Sequence, residues 1–188
     1  FLYQSGYLTI KGYDEGVYFL GIPNQEVRQS LNSIVLPALA MRRNGDIQSA
    51  QAMLTVHLRN GNLPEAKKLL KALIADVPYS NKKLASMDME ERYRLIMSTI
   101  FNAIGFRVEV ERMLSTGRID IVVETPRIIY VMELKLSNNG GISAAEQQIC
   151  ENRYIEPFKA DGRKVIALAV ELDAMGKGLV DWKVCQSN

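Results

Sequence analysis

Three charged side chains interrupt a stretch that is otherwise apolar and β-branched. Asp120 breaks the run Ile119-Asp120-Ile121-Val122-Val123, and Glu133 and Lys135 end the run that begins at Ile128. Both runs read as strands, and Thr125-Pro126-Arg127 between them supplies the turn. Burying charge is costly unless it is paired or bound to a metal. Side chains two apart share one face of a strand, so Glu133 and Lys135 point the same way, roughly 7 Å apart at about 3.3 Å per residue. If the strands pair antiparallel across a tight turn, Asp120 lies beside Glu133. Two carboxylates on paired strands suit a hard divalent cation with oxygen ligands, such as magnesium or manganese. A lysine next to them can orient an attacking water or offset developing negative charge. That is a layout for phosphodiester hydrolysis. The same residues also fit a salt bridge between Lys135 and one carboxylate at a sheet edge, and the strands alone leave both arrangements open.

The neighbouring elements must hold these side chains. Residues 88–104 carry Met89, Tyr93, Ile96, Met97, Ile100, Phe101 and Ile104 at helical spacing, with Asp88 as cap. In that phase Glu90 falls at the edge of the apolar stripe and Glu91 on the far side. Gly105 ends the helix. Residues 106–113 read as the first core strand, with Val108 and Val110 inward and Glu109 and Glu111 on the opposite face. Ser115-Thr116-Gly117 turns the chain into the Asp120 strand, where Arg118 is placed to contact a phosphate or to pair with an acid. Asn138 to Gly141 reads as a loop. A helix is expected from about Ser143 to Phe158, with Ser143 as N-cap and Glu146 completing a capping box. Gln148 lies near its middle and Tyr154 six residues on. Asp161-Gly162 leads into 164–170, an almost unbroken apolar run of the kind buried on both faces. A helical crossover would set it parallel to the Glu133 strand. Residues 180–185 read as a final edge strand.

The first part of the chain is different in character. Residues 7–11 and 17–21 read as a β-hairpin around a Gly12–Gly16 turn. Asn24 is a plausible N-cap for a helix running to about Met41, kinked by Pro37. Residues 46–59 and 63–75 read as a helical hairpin joined by Asn60-Gly61-Asn62, with Lys67, Lys68 and Lys71 on one side of the second helix. That basic side suits a solvated face or a nucleic-acid surface. Residues 77–81 break the pattern, giving an expected division into a helical adaptor region (1–80) and a second domain (81–188).

Composition sets limits. A chain of 188 residues with 47% hydrophobic and 23% charged residues is that of an ordinary globular protein of one or two domains. A net charge of +2 neither supports nor excludes a basic groove. Cys150 and Cys185 stand far apart without metal-ligand spacing, so a reducing, cytoplasmic setting is expected. His57 is the single histidine and has no ligand partner nearby in sequence. No apolar run is long enough to span a membrane, and no Gly-rich phosphate loop of the GxxxxGK[ST] type is present. The chain begins at Phe1, which is expected of a piece of a longer protein.

Asp120 followed by Glu133-Leu134-Lys135 on the next strand resembles the motif of the PD-(D/E)XK nucleases. GRIDIVVETPRIIYVMELKL (117–136), AAEQQICENRYIEPF (144–158) and DGRKVIALAVELD (161–173) are similar to a nuclease-like domain found at the C-terminus of bacterial AAA-ATPase-like proteins. The opening FLYQSGYLTIKGYD and YFLGIPNQEVRQSL resemble the segment that joins the ATPase to that domain. Ile119 stands where the superfamily's name has proline. The resemblance implies an α/β, restriction-endonuclease-like core in the order α-β-β-β-α-β, a mixed central sheet flanked by helices. A mainly helical region with an N-terminal β-hairpin would precede it. It implies Mg2+ or Mn2+ held by Asp120, Glu133 and the Leu134 carbonyl, with Glu90 on the first helix completing the acidic cluster. Lys135 would serve catalysis, Gln148 would support it, and Arg118 and Tyr154 would serve the substrate, DNA. An ATPase-like domain would precede residue 1. Two other functions fit: a catalytically silent nuclease-like module that binds nucleic acid or protein, or an adaptor role centred on residues 1–80.

Overall fold

The computed structural model describes residues 3–14, 17–24, 26–27, 30, 44–75 and 87–185. The expected helix after Asn24 lies almost wholly outside them, as does the expected boundary at 77–81. Asn24 does act as a cap: its Oδ1 accepts from the Val27 amide at 2.9 Å.

Two strands, β1 (Thr9–Asp14) and β2 (Val17–Gly21), pair antiparallel at the start of the chain. β1 runs further than expected, through Gly12 to Asp14, because the pairing steps over an irregularity between Ile10 and Gly12. Helices α1 (Asn44–Asn60) and α2 (Leu63–Ala75) follow, then α3 (Met89–Ala103). The remaining elements are β3 (Arg107–Leu114), β4 (Gly117–Glu124), β5 (Ile128–Leu136), α4 (Gly141–Glu151), a single 3-10 turn (Glu156–Phe158), β6 (Lys164–Leu172) and β7 (Leu179–Cys185).

Strands β3 to β7 form one sheet in sequence order. β5 and β6 are parallel, the other neighbouring pairs antiparallel. The parallel pair is the expected one, since a helical crossover joins its strands. β5 is central and apolar on both sides, and both sides are covered. Tyr130, Met132 and Leu134 face a cluster with Leu54, Leu58, Leu70, Ile100 and Phe101 of the first three helices. Ile129 and Val131 face Ala145 and Ile149 of α4 together with Tyr154 and Phe158. The α1–α2 hairpin thus shares the core of the sheet. Buried Tyr130 donates its hydroxyl to the Leu58 carbonyl at 2.6 Å, and Lys67 pairs with Asp181 of β7 at 2.5 Å. Packing is therefore continuous across residue 80.

Two local expectations are corrected. α4 begins at Gly141, not near Ser143, and ends at Glu151, not Phe158. Gly140 and Gly141 both adopt positive φ, and the carboxylate that meets the helix N-terminus belongs to Glu171 of β6, which accepts from the Ile142 amide at 3.3 Å. A tertiary partner has replaced the local capping box, with the negative charge at the favoured helix end. Arg153 at φ 50° then ends the helix. On β3, Val108 packs on the core but Val110 is 43% exposed. β3 is an edge strand, so no further strand covers its outer residues.

Candidate functional site

The turn between β4 and β5 fixes the register on which everything else depends. The Thr125 amide donates to the Ile128 carbonyl at 2.9 Å, and the Thr125 hydroxyl accepts from the Ile128 amide, also at 2.9 Å. Pairing then runs from Glu124 with Ile129 to Ile121 with Met132. One further step would join Asp120 to Glu133, and there the ladder stops. On the other flank Val110 pairs with Ile121 and Arg112 with Ile119, so Glu111 stands opposite Asp120, and this step is unpaired as well. Glu111, Asp120 and Glu133 therefore occupy one row across three strands, where the backbone ladders lapse on both sides.

The row opens into a cleft of about 420 Å³, lined by Asp88, Glu90, Arg94, Gly117, Arg118, Asp120, Glu133, Lys135, Gln148, Asn152 and Tyr154. All seven side chains singled out from the sequence lie here: Glu90, Arg118, Asp120, Glu133, Lys135, Gln148 and Tyr154. Asp120 is 4% exposed and Glu133 1%. Asp120 Oδ2 accepts from the Leu134 amide at 2.9 Å, a side chain taking the place of the missing ladder bond. Lys135 Nζ donates to Glu133 Oε1 at 3.0 Å and stands 3.6 Å from Glu90 Oε1.

Glu90 arrives from the first turn of α3. Asp88 caps the helix by accepting from the Glu90 amide at 3.1 Å. Tyr93, one turn on, donates its hydroxyl to the Asp173 carbonyl at 3.1 Å and accepts from the Gly178 amide at 2.8 Å. Those contacts bolt α3 to the loop between β6 and β7.

On the far side of the cleft, the buried Tyr154 hydroxyl donates to the Arg118 carbonyl at 2.7 Å. It accepts from Gln148 Nε2 at 3.0 Å and Asn152 Nδ2 at 3.1 Å. Tyr154 and Gln148 thus meet the β3–β4 turn through one hydroxyl, which places Tyr154 behind the cleft wall. Gly117 allows this approach, since a Cβ there would stand 2.9 Å from Asn152 Nδ2 and 3.2 Å from the Tyr154 hydroxyl.

The site's charges are strongly conditioned by burial. Glu133 is pushed up to about 7, first by desolvation and then by the neighbouring Asp120 charge, against the lowering effect of Lys135. Burial also raises Glu90, opposed by Lys135 and reinforced by Asp120. Burial pulls Lys135 down, yet Glu133, Glu90 and Asp120 together outweigh it, and its pKa ends above the ordinary lysine value. Lys135 is therefore an ammonium at neutral pH, a donor and a positive charge and not a base.

Sequence reasoning missed Arg94 and Glu111. Arg94 Nη1 donates to Glu111 Oε1 at 2.7 Å, and its Nε faces Asp120 Oδ1 at 3.2 Å. Arg118 Nη1 reaches the same Glu111 oxygen at 2.8 Å. A signal for Arg94 was present: it lies four residues after Glu90, hence on the same helix face. Glu111 was one count away, opposite Asp120 across the short turn. Its backbone, at φ 54°, departs from strand alternation, a departure worth on the order of 1–3 kcal/mol of strain.

Among the described residues, three buried side-chain polar atoms have no hydrogen-bond partner, and two of them, Glu133 Oε2 and Arg94 Nε, belong to this cleft. Buried polar atoms are seldom left so, and a water or an ion is among the groups that complete them. No three acidic, histidine or cysteine side chains among the described residues converge into a ready metal cage. The donor set still fits a cation that keeps most of its waters and takes one or two carboxylates, as magnesium does. Glu133 Oε2 is the unpartnered carboxylate oxygen of the cleft, and Asp120 Oδ1 meets only the Nε edge of Arg94.

Comparison with known proteins agrees with this geometry. The sequence pattern of the PD-(D/E)XK nuclease superfamily matches residues 88–182, which run from the cap of α3 into β7. A relative named "Uncharacterized protein in vnfD 5'region", from Azotobacter chroococcum mcd 1, is 29% identical over 197 residues. That match covers 97% of this chain and 36% of the relative, so the chain spans about a third of that protein's length. No solved structure matches the chain. With its mixed five-stranded sheet, flanking helices and matched residues 88–182, the chain belongs to the PD-(D/E)XK nuclease superfamily.

Proposed function

We propose that this chain carries a metal-dependent nuclease site that hydrolyses phosphodiester bonds of DNA. The observation that carries the reading is the buried, unpartnered Glu133 Oε2 beside Asp120, with Lys135 Nζ bonded to the other Glu133 oxygen. Asp120, Glu133 and the Leu134 carbonyl would hold Mg2+ or Mn2+, with Glu90 completing the acidic cluster. The cation would supply Lewis-acid polarisation of the scissile phosphate. Lys135 orients the attacking water through its ammonium protons and offsets the charge that develops on phosphorus-bound oxygens. The water oxygen forms the new bond to phosphorus and releases a proton to solvent, the bridging P–O bond breaks, and the leaving oxygen takes a proton from solvent. Gln148 and Tyr154 hold the β3–β4 turn so that Arg118, its side chain half exposed, meets a phosphate. Phosphate contacts of this kind give little sequence readout.

The test is cleavage of plasmid DNA by the purified chain with Mg2+ or Mn2+ and with chelator, Asp120→Ala and Lys135→Ala serving as controls. Cleavage that needs the metal and is lost in both variants supports the reading. A wild-type protein that binds no divalent cation and cuts nothing refutes it.

One observation favours a second reading. Arg94 already sits against Asp120 and offsets part of its charge. In a catalytically silent module that arginine would stand where a cation acts elsewhere, and the fold would serve as a nucleic-acid or protein-binding platform. DNA binding that survives chelation without cleavage would mark this alternative.

The wider setting is also part of the proposal. Residues 1–80 would serve as the arm towards an AAA-ATPase-like domain of the same longer chain, and residues 81–188 as the nuclease domain, the α1–α2 hairpin of the arm packing on the nuclease sheet. The resemblance of the opening segment to such ATPase–nuclease junctions supports it. Among the described residues no helix is long and apolar enough to cross a membrane, and both cysteines are unpaired, in keeping with a reducing, cytoplasmic setting.

A further inference from the structure

We propose that Glu111 is a positioning residue of this site: by engaging the Arg94 guanidinium, it keeps the Asp120 carboxylate available to a divalent cation. The inference rests on the metal-dependent reading above. Arg94 is only 9% exposed and has two carboxylates within reach. Its hydrogen bond goes to Glu111, from Nη1 to Oε1 at 2.7 Å. Towards Asp120 it shows Nε at 3.2 Å, near enough to attract, yet Nε has no hydrogen-bond partner. An arginine prefers to pair with a carboxylate through two parallel N–H bonds. Here that preference is frustrated, because the fork is turned towards Glu111 and only the side of the group meets Asp120.

The strand is shaped for this. Glu111 sits between two regular pairs, Val110 with Ile121 and Arg112 with Ile119, but does not itself pair with Asp120. Its φ of 54° is uncommon for a residue other than glycine, asparagine or aspartate. That backbone accompanies a carboxylate oxygen shared between Arg94 and Arg118. Remove the Glu111 carboxylate and the Arg94 fork is free to turn onto Asp120 and close with two bonds. A cation arriving at Asp120 Oδ1 must then break that pair. Arg118 adds a link to the substrate side: a phosphate that takes Arg118 leaves Glu111 wholly to Arg94.

The experiment is calorimetric titration of Mn2+ into the full chain without DNA, for wild type, Glu111→Gln, Arg94→Gln and the double variant. Glu111→Gln is expected to weaken Mn2+ binding about tenfold, the scale of one displaced charge-assisted pair. In the Arg94→Gln background the same change is expected to have almost no effect, because the competitor is gone. Loss of a nearby negative charge alone would weaken binding equally in both backgrounds, and that result overturns the proposal. So does a Glu111→Gln protein that binds Mn2+ as wild type does. Glu111→Gly gives the same comparison in a residue that adopts this backbone freely, should the glutamine variant fail to fold. If wild type binds no Mn2+, the metal reading falls and this inference with it. If wild type binds and the two backgrounds respond alike, the inference falls alone.

Discussion

At the scale of single residues, Glu133 and Lys135 are best understood as a pair whose partners decide their protonation. Glu133 in the metal-free protein ionises only near pH 7, against 4.5 for an unperturbed glutamate. The folded protein therefore holds an extra proton between those values. The stability this contributes is fully present below about pH 4.5 and is lost as pH rises through about 7, on the order of 3 kcal/mol. The melting temperature of metal-free protein is thus expected to fall between about pH 5 and pH 8, and Glu133→Gln to flatten that slope. A divalent cation needs the carboxylate form, so Mn2+ affinity is expected to rise over the same range, with proton release on binding. Lys135→Ala removes a charged donor from a buried site. Its cleavage rate is expected to drop by a factor on the order of 10²–10³ at unchanged fold, measured by plasmid nicking and circular dichroism.

At the scale of elements, the two central strands show what residue order reveals about a site. The facing of Asp120 and Glu133 was legible because the turn is short, strand alternation is strict and Thr125 closes the turn with its own hydroxyl. Glu90 was legible because helical phase needs only counting. Glu111 was not, because a left-handed glutamate violates the alternation on which the count depends, and nothing in the residue type announces it. The start of α4 was misplaced for a related reason. Ser143 and Glu146 spell a local cap, but the carboxylate that meets the helix end comes from Glu171, thirty residues away by chain and adjacent in space. The Tyr154 hydroxyl invites a test at this scale. Tyr154→Phe keeps the buried ring but leaves the Arg118 carbonyl, Gln148 and Asn152 without their common partner. It is expected to cost about 1–2 kcal/mol by denaturant unfolding and to raise KM for DNA more than it lowers kcat.

At the scale of the whole molecule, many of the charged side chains among the described residues are held in ion pairs. Of the lysines on α2, Lys67 is tied to Asp181 and Lys68 to Glu65 at 2.6 Å, which favours the solvated-face account of that helix. Arg118 at the cleft mouth is the more telling cation. Arg118→Ala is expected to weaken DNA binding across sequences alike and to reduce the slope of log affinity against log salt by about 1, read from fluorescence anisotropy. The hairpin of β1 and β2 carries Tyr13, Val17, Tyr18, Phe19 and Leu20, all more than half exposed or close to it.

Tyr130 anchors to the Leu58 carbonyl, and this has a practical meaning for anyone trimming the chain for expression. The matched stretch 88–182 looks like a convenient recombinant fragment. Cut there, it would lose Leu54, Leu58, Ala66, Leu70, Leu73 and Ile74, the part of the cover over that side of the sheet that α1 and α2 supply beside α3. Such a fragment would present Ile128, Tyr130, Ile166 and Leu168 to water and collect in inclusion bodies, whereas one starting at residue 44 would remain in the supernatant. The smallest piece worth crystallising is set by where the oil is sealed, and the seal begins at Leu54, well upstream of α3.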